Sequence, residues 1–153
     1  MIKFKIIFGE DGYLQGKDFR YEILHNEMNF SDDYENEDKK AFHMIGREND
    51  EVMCYARLYK TGDYVFCIDK IAVKKEDRMQ YVGDTLIRAL EDKAVSEIAA
   101  LIVTVVAENA WEFFEHEDYI QVGEMFKKDG VNYKTMKRDL TKVRGCRGGK
   151  CQW

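Results

Sequence analysis

The spacing of apolar residues changes several times along the chain, and each change marks an element. The stretch "IKFKIIF" (2–8) alternates and then runs apolar, which predicts a strand closed by a turn at "GEDG" (9–12). From Lys17 to Met28, the residues Phe19, Ile23, Leu24 and Met28 fall at helical spacing with polar residues between them. "NFSDDYENEDKK" (29–40) is densely acidic and has no apolar period, so it reads as an exposed loop or short helix. "AFHMIGR" (41–47) and "EVMCYARLYK" (51–60) read as strands joined by a turn at "END", and "TGD" (61–63) leads into a third, "YVFCIDKIAV" (64–73). A two-residue turn at Thr61–Gly62 would set Lys60 against Asp63, Cys54 against Asp69 and Ala56 against Cys67. The two cysteines would then be diagonal neighbours on one face.

Beyond this hairpin, Leu86, Ile87, Leu90, Ala94 and Ile98 define an amphipathic helix over Asp84 to Ile98. "ALIVTVVA" (100–107) has the unbroken apolar character of a buried, central strand. "NAWEFFEHE" (109–117) predicts a short helix with Asn109 suited to cap it. "YIQVGEMFKK" (119–128), the turn "DG" and "VNYKTMKRDL" (131–140) form a closing hairpin. The order β, α, acidic loop, β-β-β, α, β, α, β-β is that of a mixed sheet with helices on its faces.

Composition narrows the class. At 153 residues the chain is expected to form a single domain over 1–140, with a basic, Gly- and Cys-containing tail over 141–153. A net charge of −5 gives no electrostatic case for nucleic acid or an anionic membrane. The longest apolar run, Ile98 to Ala107, is too short to cross a bilayer, and the start has no signal-peptide pattern. The expected location is cytoplasmic. Cys54 and Cys67 sit in apolar strands as small hydrophobes, while Cys146 and Cys151 in the tail are too few for a zinc site, so no metal is expected. There is no proline, so Gly, Asn and Asp must make the turns.

"RMQYVGDTLIRAL" (78–90) places a Gly-containing turn against a helix start. Backbone N–H groups there converge on whatever lies in front of the helix, with Gly83 allowing close approach and the helix dipole favouring an anion. A plain turn accounts for the same residues. The wider stretch "IDKIAVKKEDRMQYVGDTLIRAL" resembles the signature of the GCN5-related N-acetyltransferase (GNAT) family: a strand, then [RQ]-x-x-G-x-[GA], then a helix. Arg78 matches the first motif position and Gly83 the last; Tyr81 replaces the middle glycine. "ENAWEFFEHEDYIQVGE" resembles the family's later motif, and "FRYEILHNEMNFSDDYENEDKKAFHMIG" and "DGVNYKTMKRDL" resemble the ends of a bacterial branch.

The resemblance implies a mixed, mostly antiparallel twisted sheet of about seven strands with helices on both faces. It also implies an N-acetyltransferase that binds acetyl-CoA and passes the acetyl group to a primary amine by direct attack in a ternary complex. The pyrophosphate would rest on Met79, Gln80, Tyr81, Val82, Gly83, Asp84 and Thr85, near Arg78. The pantetheine arm would run beside Ile71, Ala72 and Val73, with Asn109 either reaching it or capping its own helix. Asp69 is the expected general base, or else a strand residue paired with Arg57 or Lys70. Glu27 and His43 are candidates on the amine side, His43 equally suited to a core position, and the acidic stretch Asp32 to Asp38 would draw in a cationic amine or simply face solvent. Many family members carry a Tyr acid where this chain has Phe114, so Tyr119 and Tyr133 are the alternative donors. Loss of that acid leaves a second reading open, a non-catalytic acyl-CoA-binding module. The apolar strands near the C-terminus leave room for a homodimer.

Overall fold

In the computed structural model, which describes residues 1–78 and 81–144, strands β1 (Lys3–Phe8), β2 (Phe42–Glu48), β3 (Glu51–Gly62) and β4 (Val65–Val73) pair as antiparallel neighbours. Strand β5 (Leu101–Ala107) joins β4 in parallel, and the closing hairpin of β6 (Ile120–Lys128) and β7 (Val131–Asp139) adds on through β7. The seven strands lie in the order β1-β2-β3-β4-β5-β7-β6, mixed and mostly antiparallel. Helix α1 (Glu10–Tyr21), continued by a π-helical turn (Glu22–Glu27), covers one face, where Ile23 and Leu24 meet Ile45, Tyr55 and Ala72. Helices α2 (Val82–Ser96) and α3 (Trp111–His116) cover the other, where Leu86, Ile87 and Leu90 pack on Ala56, Leu58, Ile68 and Ile102. No described helix is long and apolar enough to cross a membrane.

Two local expectations fail for identifiable reasons. Helix α1 starts at Glu10, inside the stretch read as a turn. Gly12 and Gly16 are contact points rather than breakers: a Cβ on Gly12 would lie 2.4 Å from the Ile7 carbonyl oxygen, and one on Gly16 would lie 2.6 Å from the Tyr55 ring. Glu10 and Asp11 in the first turn favour the helix through its dipole. The β3–β4 turn also sits further along, at Asp63–Tyr64, with Tyr64 in the left-handed region at φ 63°. Asp69 therefore faces Arg57, Cys67 faces Tyr59, and Cys54 faces Val73. Cys54 belongs to the α2 side with Ala56 and Leu58, whereas Cys67 shares the opposite side with Asp69, so the cysteines are not neighbours. Both are free and buried, and burial pushes each thiol up to about 12. Cys146 and Cys151 lie outside the described residues.

One irregularity lies where β4 borders the cleft. Tyr55 pairs with Ala72 and Arg57 with Asp69, so Lys70 and Ile71 together stand against Ala56, a β-bulge with Lys70 at φ 52°. The pairing of β4 with β5 ends after Val65–Leu101 and Phe66–Ile102, and beyond it Thr104 Oγ1 donates to the Ile68 carbonyl at 2.8 Å.

Candidate active site

The diverging strands open a cavity of about 780 Å³, walled by Ile68–Ile71 of β4 and Thr104–Ala107 of β5. Met28, Asn29, Phe30, Ser31 and Glu35 close one side, and Phe126, Lys128 and Tyr133 of the β6–β7 hairpin close the other. Asp69, Ile71, Asn109 and Phe114 are the expected site residues that line it. Asn109 does not cap α3, whose N-cap is Ala110. Ala72 is fully buried against the α1 side, and the Val73 carbonyl accepts from Arg78 Nε at 2.9 Å.

Beneath Asp69 lies a buried ionic network. Arg57 is 1% exposed and grips Asp69 with two bonds, Nε to Oδ1 and Nη2 to Oδ2, both 2.8 Å. Its Nη1 reaches Asp38 Oδ1 at 3.0 Å and Glu35 Oε1 at 2.8 Å. Arg20, also 1% exposed, holds Asp38 at 2.8 and 3.3 Å, Asp32 at 3.1 Å and the Asp33 carbonyl at 3.1 Å. Lys70 Nζ adds a contact to Asp32 at 3.2 Å. The acidic stretch is thus only partly a solvated face. Asp32 and Asp38 are internal counter-ions. Burial works against the charge of Asp38, but the hydrogen bonds from Arg20 and the Glu35 N–H outweigh it and hold this carboxyl below its ordinary range.

His43 belongs to the same network and not to a substrate surface. It is 0% exposed, with Nε2 2.9 Å from the Asp38 carbonyl and Nδ1 2.6 Å from the Tyr55 hydroxyl. A carbonyl only accepts, so Nε2 carries the proton and Nδ1 accepts from Tyr55. Tyr55 oxygen in turn accepts from Arg20 at 3.1 Å. Burial lowers the pKa of His43, in keeping with this neutral form. Glu27 lies outside the cavity lining and pairs with Arg78.

At the start of α2 the backbone is arranged differently from the sequence expectation. Tyr81 is the N-cap residue, in the left-handed region at φ 63°, a conformation that suits the glycine it replaces. Gly83 faces the ring of Phe113, which a Cβ would approach to 2.9 Å, so its missing side chain lets α3 pack rather than leaving open space. The N–H of Thr85 is already spent on the Tyr81 carbonyl at 3.0 Å, which removes Thr85 as a donor to a ligand. Val82, Gly83 and Asp84, the first helical residues, keep N–H groups without an intrahelical acceptor. The Asp84 side chain pairs with Arg88 at 2.7 Å. Met79 and Gln80 lie outside the described residues.

A second ionic cluster backs α2 and α3. Tyr119, 1% exposed, donates to Glu91 at 2.7 Å, which takes it out of consideration as an acid in the cleft. Arg144 joins Glu91 and donates to the Glu117 carbonyl at 2.7 Å and its Oε1 at 2.9 Å. The chain therefore still packs on the domain four residues past Leu140. Burial, and then the adjacent Asp84 carboxyl, push Glu117 up to about 7. Among the described residues, no group of three or more His, Cys, Asp or Glu side chains is arranged to hold a metal ion.

Among the cavity residues that sequence reasoning missed are Met28–Ser31, Lys70 and the hairpin residues Phe126 and Lys128, while Glu35 enters only as part of the acidic stretch Asp32 to Asp38. Nothing in their local sequence marks them, since the β4 bulge and the folding-back of the acidic loop bring them together. The Tyr133 ring lines the cavity, stacked on Phe126 at 5.6 Å.

Comparison with known proteins agrees with this geometry. The fold is similar to that of Escherichia coli ElaA, with a TM-score of 0.80 at 21% identity over 91% of this chain and 100% of the other. An acyl-CoA N-acyltransferase from Pseudomonas aeruginosa gives a TM-score of 0.76 at 15% identity, over 90% and 99%. A CoA-dependent acyl-homoserine lactone synthase, BjaI, solved with SAM and isopentyl-CoA, gives 0.78 at 12% identity, over 92% and 84%. Residues 9–140 match the family model of the acetyltransferase (GNAT) domain, so the chain belongs to the GNAT family and is an acyltransferase.

Proposed function

We propose that the protein is an N-acetyltransferase that takes its acetyl group from acetyl-CoA and gives it to a primary amine by direct attack within a ternary complex. The observation that carries this reading is the cavity of about 780 Å³ beside the stretch of β4 that is unpaired with β5 beyond Phe66–Ile102 and bulges at Lys70–Ile71. An extended, amide-containing arm can pair with such an edge as an added strand would. The N–H groups of Val82, Gly83 and Asp84, which have no acceptor within α2, suit a phosphate.

Acetyl-CoA supplies an activated acyl group with a thiolate as leaving group. The chain's own residues then have two tasks. Asp69, facing the cavity, accepts the proton of the attacking amine, directly or through a water. Its oxygens keep further lone pairs after accepting from Arg57. Tyr133 donates a proton to the departing sulfur, the task that Phe114 has no group to perform. The apolar groups of Met28, Phe30 and Phe126 exclude bulk water from this end. Phe114 favours a second reading, a binding module without turnover, which retains the cleft and lacks acetyl transfer. The exposed Ile120, Val122, Met125 and Phe126 of β6 are the surface on which a homodimer would form.

Calorimetric titration with acetyl-CoA tests the cleft directly. Binding by the wild type and its loss in Ala107→Trp, with the melting temperature kept, is the expected result. No heat from the wild type refutes both readings. Binding without thiol release across a panel of primary amines selects the module.

A further inference from the structure

The acceptor side of the cavity is built from residues 28–35, a segment that follows the π-helical turn and has almost no apolar core of its own. Met28 to Phe30 hydrogen-bond back to the π-helical turn, and the acidic part from Asp32 to Glu35 is held by charge. Arg20 takes Asp32 and the Asp33 carbonyl, Lys70 takes Asp32 and more distantly Glu35 at 3.8 Å, and Arg57 takes Glu35 at 2.8 Å. Arg57 alone among these three cations also touches Asp69, across strands β3 and β4, and it does so with both arms of its fork. The remaining direction of its guanidinium is fixed by Asp38, which Arg20 and the Glu35 N–H hold from behind. Its flat face is covered by the Tyr59 ring, 4.7 Å away.

We infer that Arg57 is the positioning residue of the active site, setting the plane of the Asp69 carboxylate and the distance of the Glu35 wall from it through one guanidinium. This rests on the reading of Asp69 given under Proposed function. Arg57 is 1% exposed and does not line the cavity, so it acts through these two carboxylates and not on substrate. A planar fork fixes a carboxylate in two directions, which an ammonium cannot do. A misplacement of about 1 Å at a reacting group is enough to cost about 100-fold in rate.

The test is Arg57→Lys, which keeps the buried charge and loses the fork, measured alone and with Asp69→Asn. The expected result for the single variant is a fall in kcat of about tenfold or more. Its KM for the amine rises, and its calorimetric affinity for acetyl-CoA stays within about twofold of wild type. In the Asp69→Asn background the same change costs less than about threefold further in kcat, because residues acting as a unit are non-additive. An equal loss in both backgrounds overturns the inference. So does a joint fall in acetyl-CoA affinity and melting temperature, which marks a merely structural arginine, and so does an Asp69→Asn enzyme with wild-type kcat. A wild type that binds acetyl-CoA but transfers nothing removes the catalytic reading, and a wild type that does not bind removes the cleft reading; each is recorded before any variant is made.

Discussion

The two ionic clusters of this protein solve the same problem in opposite ways. Under the cleft, the buried carboxylates Asp32 and Asp38 meet the cations Arg20, Arg57 and Lys70. Behind α2, the Glu117 carboxyl lies against another carboxyl, Asp84, and Arg144 relieves the repulsion only in part. The first cluster holds the Asp38 carboxyl below its ordinary range; the second pushes Glu117 up to about 7. Burial raises both carboxyls. At Asp38 the hydrogen bonds from Arg20 and the Glu35 N–H outweigh it, whereas at Glu117 it prevails, with Asp84 adding to it and Arg144 offsetting only part.

Removing one fork gives the largest break in this contrast. Arg20→Met keeps most of the volume but leaves Asp32 and Asp38 short of a cation, with an expected loss of about 3–5 kcal/mol in urea unfolding. A loss below about 1 kcal/mol would mean that the network is not buried in solution.

Acidity sharpens the contrast next. His43 and Asp38 both have folded pKa values below their ordinary ones, so the His43 contribution is complete above pH 6.5 and lost as pH falls from there, and the Asp38 contribution is complete above pH 3.8 and lost below it. Glu117 works the other way. Its folded pKa of about 7 lies above the ordinary 4.5, so its contribution is complete below pH 4.5 and is lost as pH rises through about 7. Between these limits the clusters oppose each other and flatten the wild-type profile. Glu117→Gln removes one side, and its melting temperature should climb more steeply with pH from 4.5 to 7 than that of the wild type. Superimposable profiles would refute the assignment.

The smallest effect concerns the backbone beside the second cluster. Tyr81 is 82% exposed and sits at φ 63°, so Tyr81→Gly relieves strain without emptying a core. The expected gain is up to about 1 kcal/mol in the same urea assay, reduced by the extra freedom glycine gives the unfolded chain. A net loss would show that the ring contributes contacts outweighing the strain.

Local chemistry made much of the fold legible. The turns at Asn49–Asp50 and Asp129–Gly130 adopt the left-handed conformations their residues favour, and the continuous apolar run 101–107 is the inner strand β5. Illegible features depended on partners far along the chain. Gly12 and Gly16 look like breakers until His43 and Tyr55 stand against them. Asp38 looks solvated until Arg57, 19 positions away, arrives. The β3–β4 turn departs from its expected place because it uses Tyr64 in the left-handed region where a glycine is available at Gly62. At the site, Asp69, Asn109 and Phe114 were recoverable from a motif, whereas Glu35 and Lys70 needed the bulge, for which the sequence carries no sign.

The short junction between β4 and β5 has a mechanical side. Four strands form one meander of sequence neighbours and three form a second unit, and only two residue pairs stitch the sheet between them. So little backbone pairing makes that seam the natural line along which the sheet would part. A ligand lying along the open part of the seam bridges both halves. At 100 times its dissociation constant it would add about 2.7 kcal/mol to the work of separating them. The cleft thereby makes the enzyme's lifetime a function of how well it is supplied.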